Sequence, residues 1–435
     1  MPHPARKTFL GFLFVLAVGT VLLMLPLSTV HPGGIPLMPA LFTAASALFV
    51  TGLATVDTET YWTTFGKVVI MSLIQVGGFG VMSAATVLGT SITRRLSLTS
   101  RITTAAEAHS GLQDVRGLVR RVLVTGLLIE SLVAAALTVR FLTLGYRFDK
   151  ALWHGVFHAV SSFNNAGFAL YSDSLSRFAG DPFISLPIAI AIILGGIGFP
   201  VLWQLRQYWR SPLKWSMNTR LVLLGTLVLL ASSMVFVTVL EWNNTLAHLS
   251  SDEKLLAGFF TAVQTRTAGF NSVDVTQMHS VTWLGMDVLM FIGAGPAGTA
   301  GGIKITTFGV LFFIIWSEIR GEDAVNVLGK RLARSVHRQA ITVALLAVAL
   351  VVVATALLLV LTPFTLDAVL FEACSAFGTV GLSTGITSQL NTPAQLVLVC
   401  LMFFGRLGPI TIATALATPG RKRHFELPKE RPIIG

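Results

Sequence analysis

Glycine recurs four times in one local context along this 435-residue chain: FVTGL at 49–53, NNAGF at 164–168, RTAGF at 266–270 and GTVGL at 378–382. The central residues, Gly52, Gly167, Gly269 and Gly381, are separated by 115, 102 and 112 positions. The chemistry open to such a set is removal of a cation from water. A bare cation needs close oxygen ligands without a fixed negative charge that would trap it. Backbone carbonyls qualify when the chain runs extended through dihedrals that β-carbons resist. Four such strands would stack rings of carbonyls from the glycines and the two residues before each: Val50 and Thr51, Asn165 and Ala166, Thr267 and Ala268, Thr379 and Val380. The side chains differ between copies, as expected where the backbone supplies the ligands. This pattern predicts a four-fold pseudosymmetric cation pore in one polypeptide.

Positioning those strands falls to a membrane. The chain is 53% hydrophobic and 12% charged, about half the charge of a soluble domain. Apolar runs of about 20 residues recur throughout. The first run reads as a retained helix, because no convincing small-residue cleavage pattern follows it. The expected fold is all-α integral membrane, with eight transmembrane helices as four helix–pore-loop–helix repeats and four-fold pseudosymmetry around a single pore. Repeat one covers 1–91, with spans 8–28 and 62–90 and pore loop 38–53. Repeat two covers 92–213, with spans 119–141 and 183–205 and pore loop 151–168. Repeat three covers 214–320, with spans 220–241 and 283–316, pore loop 253–270 and a helix broken at 293–302. Repeat four covers 321–435, with spans 339–361 and 393–417, pore loop 367–382 and a cytoplasmic tail. Each short segment (38–48, 151–162, 253–264, 367–376) reaches only about half a bilayer, so it must dip in and return. Its helix C-terminus carries about half a negative charge toward the cavity below, which favours a cation without a carboxylate.

Of the 31 Lys and Arg, 22 fall in alternate connections: Arg6 and Lys7, the stretches 94–121, 206–220 and 320–338, and the tail from Arg421 to Arg431. By the positive-inside rule both termini are cytoplasmic. The net charge of +11 is therefore a topology signal and not one for nucleic acid. A second register lies downstream at VGGFG (76–80), LGGIG (194–198), IGAGP (292–296) and FGRLG (404–408), where Gly77, Gly195, Gly293 and Gly405 align. Three acids, Asp57, Asp173 and Asp274, follow their glycines by five or six residues and would concentrate cations at an outer mouth; the fourth repeat has Thr387. Five glycines and a proline in Gly293-Ala294-Gly295-Pro296-Ala297-Gly298-Thr299-Ala300-Gly301-Gly302 cannot form a stable helix interior. Lys304 follows, with Glu130 its expected carboxylate partner. Arg266 is expected to turn behind the carbonyl ring toward Glu372. Arg406 occupies the aligned position of Gly78, Gly196 and Ala294 and must face a cavity or a partner. His154 and His158 lack a third ligand and read as helix packing. Cys374 and Cys400 read as small buried hydrophobes.

The strings NNAGF, TRTAGF, GTVGLSTGIT, AGPAGTAGGIKITT and FFGRLGPIT resemble the superfamily of potassium transporters that includes TrkH, KtrB and the plant HKT proteins, over nearly the whole chain. Eight spans with four filter glycines resemble the KtrB type. That resemblance implies K+ as the transported ion and allows Na+ as an activator. It also implies that 293–302 is an intramembrane gating loop, completed by Lys304 and Arg406. Further implications are a homodimer in the cytoplasmic (inner) membrane, surrounded by lipid, and a cytosolic KtrA-like regulatory ring. ATP, ADP or NAD would bind only that partner, and no cofactor belongs to this chain. Two alternatives stay open: a proton- or sodium-coupled cation symporter, and a less selective Na+/K+ channel of the same superfamily. An intramembrane enzyme is disfavoured, since no Ser/His, paired-aspartate or zinc constellation appears within the spans.

Overall fold

The computed structural model describes residues 4–31, 33–96, 113–322 and 324–408. The described chain is helical almost throughout. Four times a longer apolar helix is followed by a short one: α1 (Pro4–Met24) by α2 (Leu37–Leu48), α5 (Gln113–Thr143) by α6 (Phe148–Phe163), α9 (Met217–Glu241) by α10 (Ser251–Gln264), and α13 (Arg334–Leu361) by α14 (Leu366–Gly378). After each short helix the backbone leaves helical geometry at the glycine motif, then re-enters a helix. These returning helices are α4 (Thr64–Leu96, after the single turn α3, Thr58–Tyr61), α7 (Pro182–Ile197) with α8 (Phe199–Tyr208), α11 (Ser280–Phe291) with α12 (Ile305–Ile319), and α15 (Thr392–Leu407).

By length and composition, four described helices can cross a membrane: Thr64–Ser83 within α4, Gly117–Thr143 within α5, α9 and α13. The bent pair α7 and α8 adds a fifth, and α1, α2, α11, α12 and α15 supply shorter apolar helices. The chain is a multi-pass membrane protein. The stretch 183–205, expected as one span, is bent by 98° between α7 and α8. Gly198 takes φ +92°, and Pro200, lacking an N–H, starts the next helix in its first turn. The third returning helix is interrupted over 292–304, slightly wider than the glycine-rich decad. A two-stranded hairpin, Asn326–Val327 with Lys330–Arg331, was not expected from the sequence; its turn residues Leu328 and Gly329 both have positive φ. The far part of the expected 393–417 span, the basic tail from Arg421 and residues 97–112 lie outside the described residues.

Local signals set several helix starts. Ser250 and Glu253 form a capping box on α10, and Asn391 caps α15. The short helices are well buried, at least half of the residues in each. In α14 every residue from Phe371 to Gly378 is buried, and Ala, Ser and Gly along these helices permit close approach. Each short helix packs on the long helix before it and also on the returning helix of the preceding unit: α6 on α4, α10 on α7, α14 on α11, and α2 on α15. That last contact closes the order into a circle.

Candidate functional site

The four glycine segments share one backbone path. Positive φ occurs at the residue two before each glycine, Val50 (57°), Asn165 (59°), Thr267 (72°) and Thr379 (51°), and again at Gly52 (94°), Gly167 (70°), Gly269 (73°) and Gly381 (94°). The residue between has no positive φ, so the handedness alternates and successive carbonyls turn to one side. In three segments the path begins as a Schellman helix end. Val50, Asn165 and Thr379 donate back three residues, while Thr51, Ala166 and Val380 donate back five, to Ser46, Ser161 and Ser375 carbonyls at 2.7–2.8 Å. The strand N–H groups are thereby used on the helix. Among the described residues, no protein donor reaches a carbonyl of Val50 to Gly52, Asn165 to Gly167, Thr267 to Gly269 or Thr379 to Gly381. Buried backbone oxygens are rarely left without a partner, so a set of them facing one space calls for a ligand.

The segments also close on one another. A β-carbon on Gly52 would stand 2.6 Å from the Ala166 oxygen, and one on Gly167 would stand 2.6 Å from the Ala268 oxygen. One on Gly269 would strike the Val380 oxygen, and one on Gly381 the Thr51 oxygen. Each glycine thus abuts the next segment, and the fourth returns to the first. Above them opens a polar cavity of about 230 Å3 walled by all four glycines with Thr55, Asp57 and Ser172.

On the other side lies loop 292–304. Gly295 N–H donates to the Gly196 carbonyl at 2.8 Å and Thr299 N–H to the Gly195 carbonyl at 3.0 Å, tying the loop to the break between α7 and α8. The Thr299 hydroxyl stands 3.2 Å from the Asn165 side-chain amide, and Gly301 lies against Thr379. The Arg406 guanidinium donates to the Thr299 carbonyl and, at 3.4 Å, to the Gly77 carbonyl. Lys304 donates to the Ala300 carbonyl at 2.5 Å and not to Glu130, which corrects the expected pairing. Residues 293–302, Lys304 and Arg406 therefore form one cluster in contact with the glycine segments of units two and four.

The TrkH family, described as a cation transport protein, matches residues 14–423. The Ktr system potassium uptake protein B of Bacillus subtilis (strain 168) is 40% identical over 417 residues, covering 95% of this chain and 93% of that protein. Its namesake from Vibrio alginolyticus is 37% identical, covering 95% and 91%. The chain belongs to the TrkH family, as a KtrB-type member. The potassium/sodium uptake protein NtpJ of Enterococcus hirae is 32% identical, covering 99% and 97%. The crystal structure of the potassium transporter TrkH from Vibrio parahaemolyticus superposes with a TM-score of 0.70 at 19% identity, covering 94% of this chain and 84% of that one, and so shares the fold.

Several supports of this TrkH-family site escaped the sequence reading. Ser46 and Ser375 hydroxyls accept from Gly52 and Gly381 N–H at 3.0 and 3.1 Å. Ser161 donates to the Phe168 carbonyl at 2.7 Å, and the Gln264 amide oxygen accepts from Phe270 N–H at 3.0 Å. The three serines precede their glycines by six residues, a signal visible in the sequence once one looks upstream. The second-register glycines also gain a reason. β-carbons at Gly77, Gly195 and Gly405 would strike the carbonyls of Leu48, Phe163 and Phe377, four residues before the glycines of the carbonyl segments. Gly293 instead meets the Gly301 carbonyl, because its helix has already broken.

The expected Arg266–Glu372 pair does not form. Arg266 turns behind the segment, as expected, but among the described residues reaches only Thr226, at 3.4–3.5 Å. Glu372 instead holds the strand after Gly381 through Ser383, Thr384 and Thr387. Glu130 bridges Gln75 and Asn164, the residue just before the second carbonyl segment. At the mouth only Asp57 lines the cavity; Asp173 is clamped by Arg177 at 2.6 Å, and Asp274 caps its own turn. Burial alone would raise the Asp57 carboxyl, but Ser172, Thr60 and the Glu59 N–H hold it below the usual carboxylate range. The Arg177 fork does the same for Asp173. His154 and His158 stack with Tyr171 at 5.0 and 5.5 Å, in an aromatic cluster. Cys374 is buried, but Cys400 is exposed on the outer face, contrary to expectation.

Proposed function

We infer that this chain is the conducting subunit of a potassium uptake system. K+ sheds its water into the carbonyl rings of the glycine segments and passes inward beneath them. The observation that carries this reading is the closed cycle of buried segments whose carbonyls no donor among the described residues meets. Uncharged ligands suit a monovalent cation that must leave as readily as it enters. Relatives named for potassium uptake, similar over more than nine-tenths of both chains, support the choice of ion.

In this reading eight spans form four repeats about the pore, with both termini cytoplasmic. Loop 292–304, Lys304 and Arg406 form the gate. The charge of Arg406, without a carboxylate among the described residues, adds an electrostatic barrier under the ring. The chain works as a homodimer in the cytoplasmic membrane, under a cytosolic nucleotide-binding partner that docks on the basic connections. A less selective Na+/K+ pathway is the second reading, favoured by similarity to the potassium/sodium protein NtpJ.

Rubidium uptake into vesicles holding the purified chain tests both. Uptake driven by an inside-negative potential and suppressed by potassium is expected. No uptake above protein-free vesicles overturns the proposal. Equal competition by sodium moves it to the second reading.

A further inference from the structure

Glu130 stands halfway along the span Gly117–Thr143, where it is buried, and no cation pairs with it among the described residues. A carboxyl at that depth is costly, and what it holds is the first place to look for its use. Both of its oxygens are taken. Oε2 accepts from the Gln75 amide at 2.8 Å and Oε1 from the Asn164 amide at 3.0 Å. The Asn164 amide also donates to the Gln75 Oε1 and to the Val160 carbonyl, each at 2.9 Å. Three side chains from α4, α5 and α6 thus close a triangle. Because an ionised carboxyl only accepts, it fixes which way both amides face.

The triangle ends directly behind the ring. Asn164 is the residue after α6, and Asn165, with its positive φ, follows it as the first of the second carbonyl segment. On its other side the Asn164 side chain rests on bare backbone, since a β-carbon at Gly78 would strike its Oδ1. The other three units place different residues three before their glycines. Phe49 packs between Phe12 and Phe403, Arg266 reaches Thr226, and Gly378 has no side chain. Among the described residues, a carboxyl bonded at this position occurs in unit two alone, so packing that all four units share does not account for it.

We propose that Glu130 is a positioning residue for the second carbonyl segment. Through Asn164 it holds the carbonyls of Asn165 to Gly167 at the ring, and so helps to set the preference for potassium over sodium without touching the ion. The consequence for selectivity rests on the segments being the ion path. Selection by carbonyls depends on their number and spacing about the ion, and one loosened arc weakens it. The tie works by hydrogen bonds, so a neutral oxygen in the same place preserves it.

The test measures rubidium uptake by the full chain in vesicles against competing potassium and competing sodium. In Glu130→Leu, which removes both acceptors at similar size, sodium should compete about threefold better or more, relative to potassium, than in the wild type. Asn164→Leu should do the same, and the double variant should be no worse than either, since both break one tie. Glu130→Gln keeps an oxygen for Asn164 and should retain most of the preference. A role in folding alone lowers the yield and leaves the ratio at its wild-type value. That result overturns the proposal, as do additive losses in the double variant or a Glu130→Gln no better than Glu130→Leu. Backbone hydrogen exchange in nanodiscs reads the tie without transport. Peptides holding 164–168 should exchange faster in Glu130→Leu, while those holding 49–53 and 378–382 keep their rates. Unaltered protection at 164–168 overturns the tie. Should Glu130→Leu fail to fold, Asn164→Leu decides by the same two measurements. Absence of uptake in the wild type counts against the uptake reading, and exchange then still decides whether Glu130 holds the segment.

Discussion

Val50, Asn165, Thr267 and Thr379 carry side chains in the left-handed backbone region, which for non-glycine residues costs on the order of 1–3 kcal/mol each. Strain repeated at four equivalent positions is held by the buried short helices, and its product is a line of free carbonyls. The paired glycines follow from the same path. At Gly269 both the positive φ and the nearness of the Val380 oxygen exclude a side chain. Gly269→Ser should therefore lower potassium-over-sodium preference in vesicle flux, and an unchanged permeability ratio contradicts the carbonyl assignment. The glycines were legible in the sequence because only one residue type fits there; the strained partner two before them was not, since Val, Asn and Thr share no chemistry. Partners of buried charges were equally hidden. Arg266 found Thr226, and Lys304 found a carbonyl, because backbone oxygens satisfy a cation without leaving a trace in the sequence. At the mouth, Asp57 and Asp173 have depressed values in the folded state, so their ionised contribution is present above the ordinary carboxylate range and is lost only as pH falls through the folded values. Both are partly exposed and the effect on stability is small. Uptake at fixed gradients should stay level from about pH 8 to about pH 5 and fall below about pH 4. A midpoint near pH 6 would place the controlling group elsewhere.

Among the elements, the short helices and the interrupted helices divide the labour. Short helices present the segments, and Gly77, Gly195 and Gly405 let returning helices press against their last carbonyls. The third unit departs from this rule, and there the chain forms loop 292–304. That loop is bonded at Gly195 and Gly196 to the bend between α7 and α8, so the two broken helices form one device. The break at 293–302 was legible from its glycine content. The bend at Gly198 was not, because glycine and proline two residues apart are common in packed membrane helices, and only the partner loop explains the angle. If the cluster is the gate, deleting Ala297 to Ala300 should raise rubidium uptake several-fold. Arg406→Ala should raise it as well, by releasing Thr299 and removing the charge. Unaltered uptake in the deletion removes the gate from this loop; a loss confined to the yield of folded Arg406→Ala assigns that residue to stability.

Across the molecule, helix packing and glycine contacts close in the same cyclic order, α2 on α15 and Gly381 on Thr51 completing their rings. The even spacing of the motifs foretold this closure, since near-equal repeats close most simply about an axis. Helix count was less legible: apolar runs do not reveal where a span is bent or interrupted. In the proposed reading the ring holds the ion. Rubidium scatters anomalously and resembles potassium in size, so diffraction from crystals grown with rubidium locates it without assumptions about the protein. The account predicts a peak on the axis among the carbonyls of Val50 to Gly52, Asn165 to Gly167, Thr267 to Gly269 and Thr379 to Gly381. An empty axis, or a peak held instead by Asp57 and Glu59 at the mouth, would contradict it.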